Sequence, residues 1–406
     1  MWLYNLGISL YAGGIRLAAL WHGKARLWSE GRRNIFERME AAVRPSDRIV
    51  WVHAASLGEF EQARPIIERL RAEHPEYKIL LTFFSPSGYE IRKNYEGADY
   101  VFYLPADTPS NALDIVHPEI AIFIKYEFWI NLLSELRRRK VRSYIVSAIF
   151  RRNSVFFRPY GAMWRQALET FDTLFVQNVE SKRLLSEIGF DNVVVAGDTR
   201  FDRVAQIAAA AQRVETIERF RGGGRLFVAG STWGPDEEIL LPLVNANPDV
   251  KFVIAPHEMD EGRIAHLMRD AKGGAVRYTQ CDAATRFDDV QVLVLDTMGM
   301  LSSVYGSATW AYVGGGFGVG IHNTLEAATF GLPIAFGPNY GKFKEARDMV
   351  SLGCAVSVRT AGELAAWFAP LRDDEETLRR ASRTAKDYTA RNQGATGIIL
   401  RSIFNS

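Results

Sequence analysis

The stretch IVWVHAASLGEFEQARPIIERL, residues 49–70, decides the fold. An unbroken apolar run reaches His53, the side chains shrink through Ala54, Ala55 and Ser56, and Phe60, Ala63, Ile67 and Leu70 then recur at helical spacing. Unbroken rather than alternating apolar runs belong to strands covered on both faces. A covered strand that turns directly into an amphipathic helix is half of a βαβ unit, and right-handed crossovers make such sheets parallel. Similar runs return at 79–84, 100–104, 120–124, 143–148, 173–177 and 193–197, then at 225–230, 251–255, 291–295, 309–315, 333–337 and 354–358. Thirteen strands are many for one open sheet. Over 203–224 an Ala-rich, charged helix runs into Arg-Gly-Gly-Gly-Arg, so the expectation is an α/β protein of two doubly wound domains joined there. Ligands of such sheets bind beyond the carboxyl ends of the strands, and two facing domains would put the site in the cleft between them.

Composition narrows the class. A chain of 406 residues suggests roughly two to three domains. With 48% hydrophobic and 24% charged residues it is an ordinary globular protein, and a net charge of +2 excludes a polycation seeking nucleic acid. Cys281 and Cys354 form no CxxC and no metal-ligand spacing, which points to a reducing compartment. The start, MWLYNLGISLYAGGIRLAALW, lacks the basic region and cleavage site of a signal peptide. Asn5, Arg16 and three glycines make it a poor transmembrane helix. Trp2, Leu3, Leu6, Leu10, Leu17, Leu20 and Trp21 recur near helical spacing, and a run of arginines and lysine follows between Arg16 and Arg48. That pattern suits a helix lying in a membrane interface. A helix packed on the protein's own core would also satisfy it, and both readings stay open.

The first strand-to-helix turn raises a question of chemistry. Ser56-Leu57-Gly58-Glu59 before an apolar-periodic helix is a capping box, in which Ser56 would cap a first-turn amide and Glu59 would reach back. Pro65 inside the pattern predicts a kink. Ala-x-Ser-x-Gly also resembles a nucleophile elbow, which would make Ser56 an esterase nucleophile, but no acid–histidine pair stands out downstream. The second half repeats the device. GGGFGVGIHNTLEAATFGLP (314–333) is a strand end, a glycine-rich loop and an Asn-x-x-Glu helix start, with Asn323 as cap and Glu326 as its partner. The glycines would let backbone amides approach a ligand, and a helix N-terminus favours anions. No Gly-x-Gly-x-x-Gly and no Walker A can be drawn there, so phosphate or sugar binding is suggested rather than NAD or P-loop chemistry. Gly230-Ser231-Thr232-Trp233, Ala255-Pro256-His257-Glu258 and Asp296-Thr297-Met298-Gly299 end neighbouring runs and point to the same rim.

In their order, HAASLGE, KYEFW, GDTRFD, GSTW–DEE, APHE, DTMGML, GGG–HN-x-LE and GPNYGKFKEA resemble the Kdo transferases, which move 3-deoxy-D-manno-oct-2-ulosonic acid from its CMP-activated form to the lipid A precursor. The resemblance implies a GT-B architecture with an acceptor domain, a donor domain and a membrane-apposed N-terminal helix. Its segments would be 1–22 for that helix, 23–205 for the acceptor domain, 206–224 for a linker, 225–385 for the CMP-Kdo domain and 386–406 for a C-terminal helix returning to the first domain. It implies an inverting, metal-independent reaction in lipopolysaccharide core biosynthesis at the cytoplasmic side of a Gram-negative inner membrane. No cofactor or nucleic acid is implied, CMP-Kdo being a substrate.

By motif, Glu59 matches the general base, with Ser56, Gly58, Lys125 and Glu127 on the acceptor side. Arg200, Ser231, Thr232, His257, Met298, Gly315, Gly316, Asn323 and Glu326 match the donor side, Glu326 taking ribose hydroxyls because a carboxylate would repel phosphate. A helix N-terminus keeps Glu59 ionised but weakly basic, which partial burial would oppose. The chain departs from the family where Arg200 replaces a lysine, Met300 an acid and Lys342 an asparagine, and where Lys125-Tyr126-Glu127-Phe128-Trp129-Ile130 replaces Glu-Thr-Glu-Leu-Trp-Pro. Another GT-B enzyme, a UDP-sugar transferase or epimerase, would share the Asn-x-x-Glu site. A non-catalytic sugar-binding module is the remaining alternative. Arg137-Arg138-Arg139-Lys140 and Arg151-Arg152 would either meet lipid phosphates or form solvated helix faces.

Overall fold

A computed structural model describes residues 2–108 and 112–405; Met1, residues 109–111 and Ser406, which fall inside segments assigned above, lie outside the description. The chain forms two compact units. One comprises the residues up to Arg203 and those from Gln393 onward, and the other is Val204–Asn392.

The first unit is built on seven parallel strands: β1 (Ile49–Ala54), β2 (Lys78–Phe83), β3 (Tyr100–Tyr103), β4 (Ile120–Ile124), β5 (Arg142–Ala148), β6 (Thr173–Val176) and β7 (Val193–Val195). Their order is β3-β2-β1-β4-β5-β6-β7. Every residue of β1 and β4 is buried, as the unbroken apolar runs require. Successive side chains of β1 enter opposite cores: Ile49 and Trp51 pack with Phe123 and Leu133, while Val50, Val52 and Ala54 pack with Phe60 and Ile67.

The second unit repeats the plan with β8 (Leu226–Thr232), β9 (Lys251–Pro256), β10 (Ala275–Arg277), β11 (Val292–Val294), β12 (Trp310–Val313), β13 (Ile334–Phe336) and β14 (Ala355–Ser357). Their order is β10-β11-β9-β8-β12-β13-β14, again all parallel. All thirteen expected strands are present. The additional one, β10, lies at a sheet edge with each residue only partly buried, so it needs no apolar run. In both sheets the strand order reverses at a switch point, between β1 and β4 and between β8 and β12. Ligand crevices of doubly wound sheets open there.

Two expected boundaries move. Glu215–Arg221, inside the expected linker, is a helix whose Ile217 and Phe220 are buried in the core of the second unit. The second unit also keeps the whole helix Glu375–Arg391, so the expected boundary at 385 falls inside a helix. The helix Ala395–Phe404 belongs to the first unit, with Ile399, Leu400 and Ile403 buried beside Ile67 and Leu70. The helix Leu57–Glu73 remains one helix through Pro65.

The N-terminal helix Trp2–Ala18 attaches by polar groups. Tyr4 donates its hydroxyl to Asp107 at 2.5 Å, and Asn131 donates to Asn5 at 2.7 Å. Asp107 in turn accepts from the amides of Asn131 and Leu132, capping the helix Ile130–Arg138 from another segment. Of the N-terminal helix only Ala12 is buried, and Trp2, Leu3, Leu10 and Leu17 are each at least 60% exposed. Tyr4 also packs against the core of the first unit and Tyr11 meets the rings of Trp28 and Phe84, so one face of the helix packs on the protein while the other stays open. No helix among the described residues is long and apolar enough to cross a membrane.

The returning C-terminal helix depends on Asp202, whose carboxylate accepts from the amides of Gly394 and Thr396 and from the Thr396 hydroxyl. Asp202→Ala is expected to cost about 1–2 kcal/mol in urea unfolding, as loss of an N-cap does. Amide exchange over 395–404 should accelerate in the variant while exchange in β1 and β4 does not.

Candidate active site

At the first switch point two carboxylates are anchored on the carboxyl end of one strand. Glu59, in the first turn of the helix Leu57–Glu73, accepts from the Ala55 amide at 2.7 Å. Glu127, just beyond β4, has its Oε2 3.2 Å from His53 Nε2 and accepts from Trp129 Nε1 at 2.7 Å. Lys125 adopts a left-handed conformation, φ 61°, immediately after β4. Strained non-glycine backbone of this kind persists only where the surroundings enforce it, and it clusters at functional sites.

Burial pushes the Glu59 carboxyl above the usual carboxylate range, and the charge of Glu127 pushes it the same way. The Ala55 amide, His53 and Lys125 pull it down without reversing the net direction. A helix N-terminus also favours the anion, by about 0.3–1 kcal/mol, and the net direction is still upward.

Cations border the pair. Arg200 donates through Nε to Asp198 at 2.9 Å, and Asp198 also accepts from Gln62 Nε2, one turn beyond Glu59. Burial alone would raise the Asp198 carboxyl, but the Arg200 guanidinium and its hydrogen bonds hold it below its ordinary value. Tyr126, half exposed, lies within electrostatic reach of Arg151, Glu59, Asp198 and Arg200.

In the second unit the rim is built on β8, β9 and β12. Ser231 occupies a bulge in β8 with φ 55°. After it Trp233, His257 and His322 form a continuous ring stack, with centroids 4.8 and 4.3 Å apart. Trp233 Nε1 donates to His322 Nε2 at 3.3 Å, so that nitrogen carries no proton. Burial and the neighbouring His257 lower the His322 imidazole below its usual value, leaving a neutral platform beside an exposed histidine. Asn323 caps its helix by accepting from the Leu325 amide at 3.1 Å, and donates to Glu326 at 3.0 Å. The second oxygen of Glu326 accepts from Ser302 at 2.6 Å.

The family model for 3-deoxy-D-manno-octulosonic-acid transferase (kdotransferase) matches residues 32–203. The chain is 25% identical to the 3-deoxy-D-manno-octulosonic acid transferase of Haemophilus influenzae, over 88% of this chain and 86% of that one. It is 27% identical to the enzyme of the same name from Bordetella pertussis, over 87% and 86%. The chain is similar to the Kdo transferases over most of its length. It is a glycosyltransferase, and the likeness supports Kdo transfer in lipopolysaccharide biosynthesis. Its fold is GT-B, shared with the UDP-GlcNAc 2-epimerase of Neisseria meningitidis at a TM-score of 0.62 and 15% identity, over 88% of this chain and all of that one.

The transferase departs from its sequence motifs at several places. Ser56 is the N-cap residue but its side chain makes no capping bond, and Glu59 reaches the Ala55 amide instead, so only half a capping box forms. Both ring nitrogens of nearby His53 are engaged by Thr82 and Glu127, which leaves Ser56 no activating histidine there. Thr232, expected on the donor side, is fully buried and gives its hydroxyl to Glu237 at 2.9 Å, so it cannot face a ligand. Arg200, also expected there, lies in the first unit beside Asp198.

Close packing demands two of the glycines in the loop. A Cβ on Gly314 would sit 2.2 Å from the Ser231 carbonyl oxygen, and one on Gly316 2.6 Å from Gly337 Cα. The Gly315 amide is given to Asp236 at 2.9 Å. Gly58 is open, with nothing near its missing side chain, and Met298 is 77% exposed on the loop after β11. Arg137, Arg138 and Arg139 are paired with Glu169, Glu135 and Asp114, which makes that run a salt-bridged surface. Three contributors were missed. His53 looked like the end of an apolar run, Asp236 like an ordinary helix start, and His322 like a neighbour of the cap; only the HN pair beside the glycines signalled the last.

Glu59 binds its proton more tightly in the folded chain than in the unfolded one. Its contribution to stability is therefore complete below the ordinary carboxylate range and is lost as pH rises through its raised folded value. Glu59→Gln keeps an acceptor for the Ala55 amide but never ionises. The variant should melt a few degrees above wild type near pH 8, and the gain should vanish as the pH falls to about 4.

Proposed function

We propose that this transferase moves Kdo from CMP-Kdo to the primary hydroxyl of a lipid A precursor, lipid IVA, with inversion and without a metal ion, Glu59 being the general base. The observation that carries this reading is the position and raised basicity of Glu59 at the switch point of the first sheet. A base must lie rigidly within reach of the hydroxyl it deprotonates and hold its proton near the working pH. Glu59 takes the proton from the acceptor hydroxyl as that oxygen forms a bond to the anomeric carbon of Kdo. The bond from that carbon to the phosphate oxygen breaks, CMP leaves, and attack opposite the leaving group inverts the centre.

On the donor side, the Trp233–His257–His322 stack offers a flat face to a nucleotide base. Glu326, held by Asn323 and Ser302, suits ribose hydroxyls. Lys125 and Arg200 suit the Kdo carboxylate. The outward row Trp2, Leu3, Leu10, Leu17, Leu20 and Trp21 supports a membrane-apposed N-terminus on the cytoplasmic face of the inner membrane.

The test is CMP release from CMP-Kdo, with and without tetra-acylated lipid A precursor, in detergent and EDTA. Release should require the lipid, survive EDTA and fall by about a hundredfold or more in Glu59→Gln while CMP still binds. Near-normal turnover in that variant would remove Glu59 from the base role. Failure of wild type to release CMP would point to another nucleotide-sugar. Replacing Leu10 and Leu17 together by glutamate should lower sedimentation with anionic phospholipid vesicles by about tenfold and leave turnover of detergent-dispersed acceptor intact.

A further inference from the structure

Behind Glu127 runs a line of polar groups inside an otherwise apolar sheet. Trp51 Nε1 donates to the Thr82 hydroxyl at 2.8 Å, and that hydroxyl lies 2.9 Å from His53 Nδ1. His53 Nε2 is 3.2 Å from Glu127 Oε2, which also accepts from Trp129 Nε1 at 2.7 Å. Trp51, Thr82 and His53 are at most 1% exposed and Glu127 is 9% exposed. An indole N–H only donates, so the Thr82 hydroxyl receives from Trp51. His53 Nδ1 meets both that hydroxyl and, at 3.1 Å, the Thr82 carbonyl oxygen, so the imidazole ring is held on one side by Thr82 and on the other by Glu127. The carboxylate oxygen at the end of the line is held by the Trp129 indole N–H and by the His53 ring.

We propose that Trp51, Thr82, His53 and Trp129 form a hydrogen-bond relay that holds Glu127 in place beside Glu59, making Glu127 the positioning residue for the base. Two anchors at the end of β1 bring the carboxylates together: Glu127 is tied to the ring of His53 and Glu59 to the amide of Ala55, two residues on and just past the strand. A buried anion beside a second carboxylate makes that carboxylate hold its proton more tightly. The groups facing Glu59 are Glu127, His53, Lys125 and Tyr126. The proposal rests on Glu59 as base only for its catalytic consequence; the electrostatic link is measurable without turnover.

The experiment reads the pH midpoint at which Glu59→Gln begins to stabilise the protein in thermal melts, which reports the titration of Glu59. It is repeated in Glu127→Gln, Trp129→Phe and the combined background. Trp129→Phe is the decisive single change, because it removes a donor to Glu127 without altering any charge and keeps a ring against Phe84, 4.7 Å away. His53 faces Glu59 directly, so its own variants would mix two effects. The midpoint should fall by about one pH unit in Glu127→Gln, by less in Trp129→Phe, and no further when Trp129→Phe is added to Glu127→Gln. An unchanged midpoint in Glu127→Gln, or an equal shift from Trp129→Phe in both backgrounds, would overturn the relay. The acidic limb of the pH–rate profile should follow the midpoint. A midpoint that moves while Glu59→Gln stays active would keep the relay and reject the base.

Discussion

The parallel pairing of β1 with β4 is the constraint on which the first unit's chemistry depends. Val50 to His53 align with Ile120 to Phe123, and the strand order reverses at this pair. The connections leaving the two strands depart on opposite sides, and the gap between them exposes the carboxyl ends. Glu59 follows one strand and Glu127 follows the other. Both carboxylates return to the end of β1 for their hydrogen bonds, Glu127 to His53 within the strand and Glu59 to Ala55 just after it, so sheet geometry helps to set their separation. A site held this way is rigid because parallel strands covered on both faces have no freedom to slide.

The second unit uses the same geometry with different chemistry. β8 and β12 flank its switch point, and the residues beyond them carry aromatic and imidazole rings instead of paired carboxylates. Asp236 is the organising group there. Its buried carboxylate accepts from the Tyr312 hydroxyl, the Gly315 amide and the Trp233 amide, and so ties the end of β12 to the loop after β8. Burial raises this carboxyl even against those three donors.

Local strain marks both sites. The pairing of β5 shifts register between Ile145 and Ala148, and that of β8 between Gly230 and Thr232. In each irregularity a serine, Ser147 or Ser231, takes a left-handed conformation. Bulges of this kind re-aim the chain beside active sites. In the first unit Ser147 meets the Thr199 hydroxyl at 3.0 Å, and Thr199 donates to the Gln62 carbonyl at 2.7 Å. The bulge thus supports the turn that carries Asp198 and Arg200, next to the helix bearing Glu59.

The pattern of unbroken apolar runs was enough to determine two parallel sheets and thirteen of their strands, because burial on both faces leaves a local, one-dimensional signature. β10 left none, since an edge strand needs no apolar run. The helix starts at Glu59, Asp236 and Asn323 were legible for the same local reason: capping residues act over three or four positions. What those carboxylates do afterwards was decided by the tertiary structure alone. Ser56 and Glu59 read as a capping pair in sequence, yet burial and Glu127, which lies far along the chain, raise the Glu59 carboxyl above its ordinary range. His53 looked like one more apolar-run residue until the fold set it between Thr82 and Glu127. Desolvation and charge coupling fall off with distance in space, and distance in space is the quantity that an order of residues does not contain.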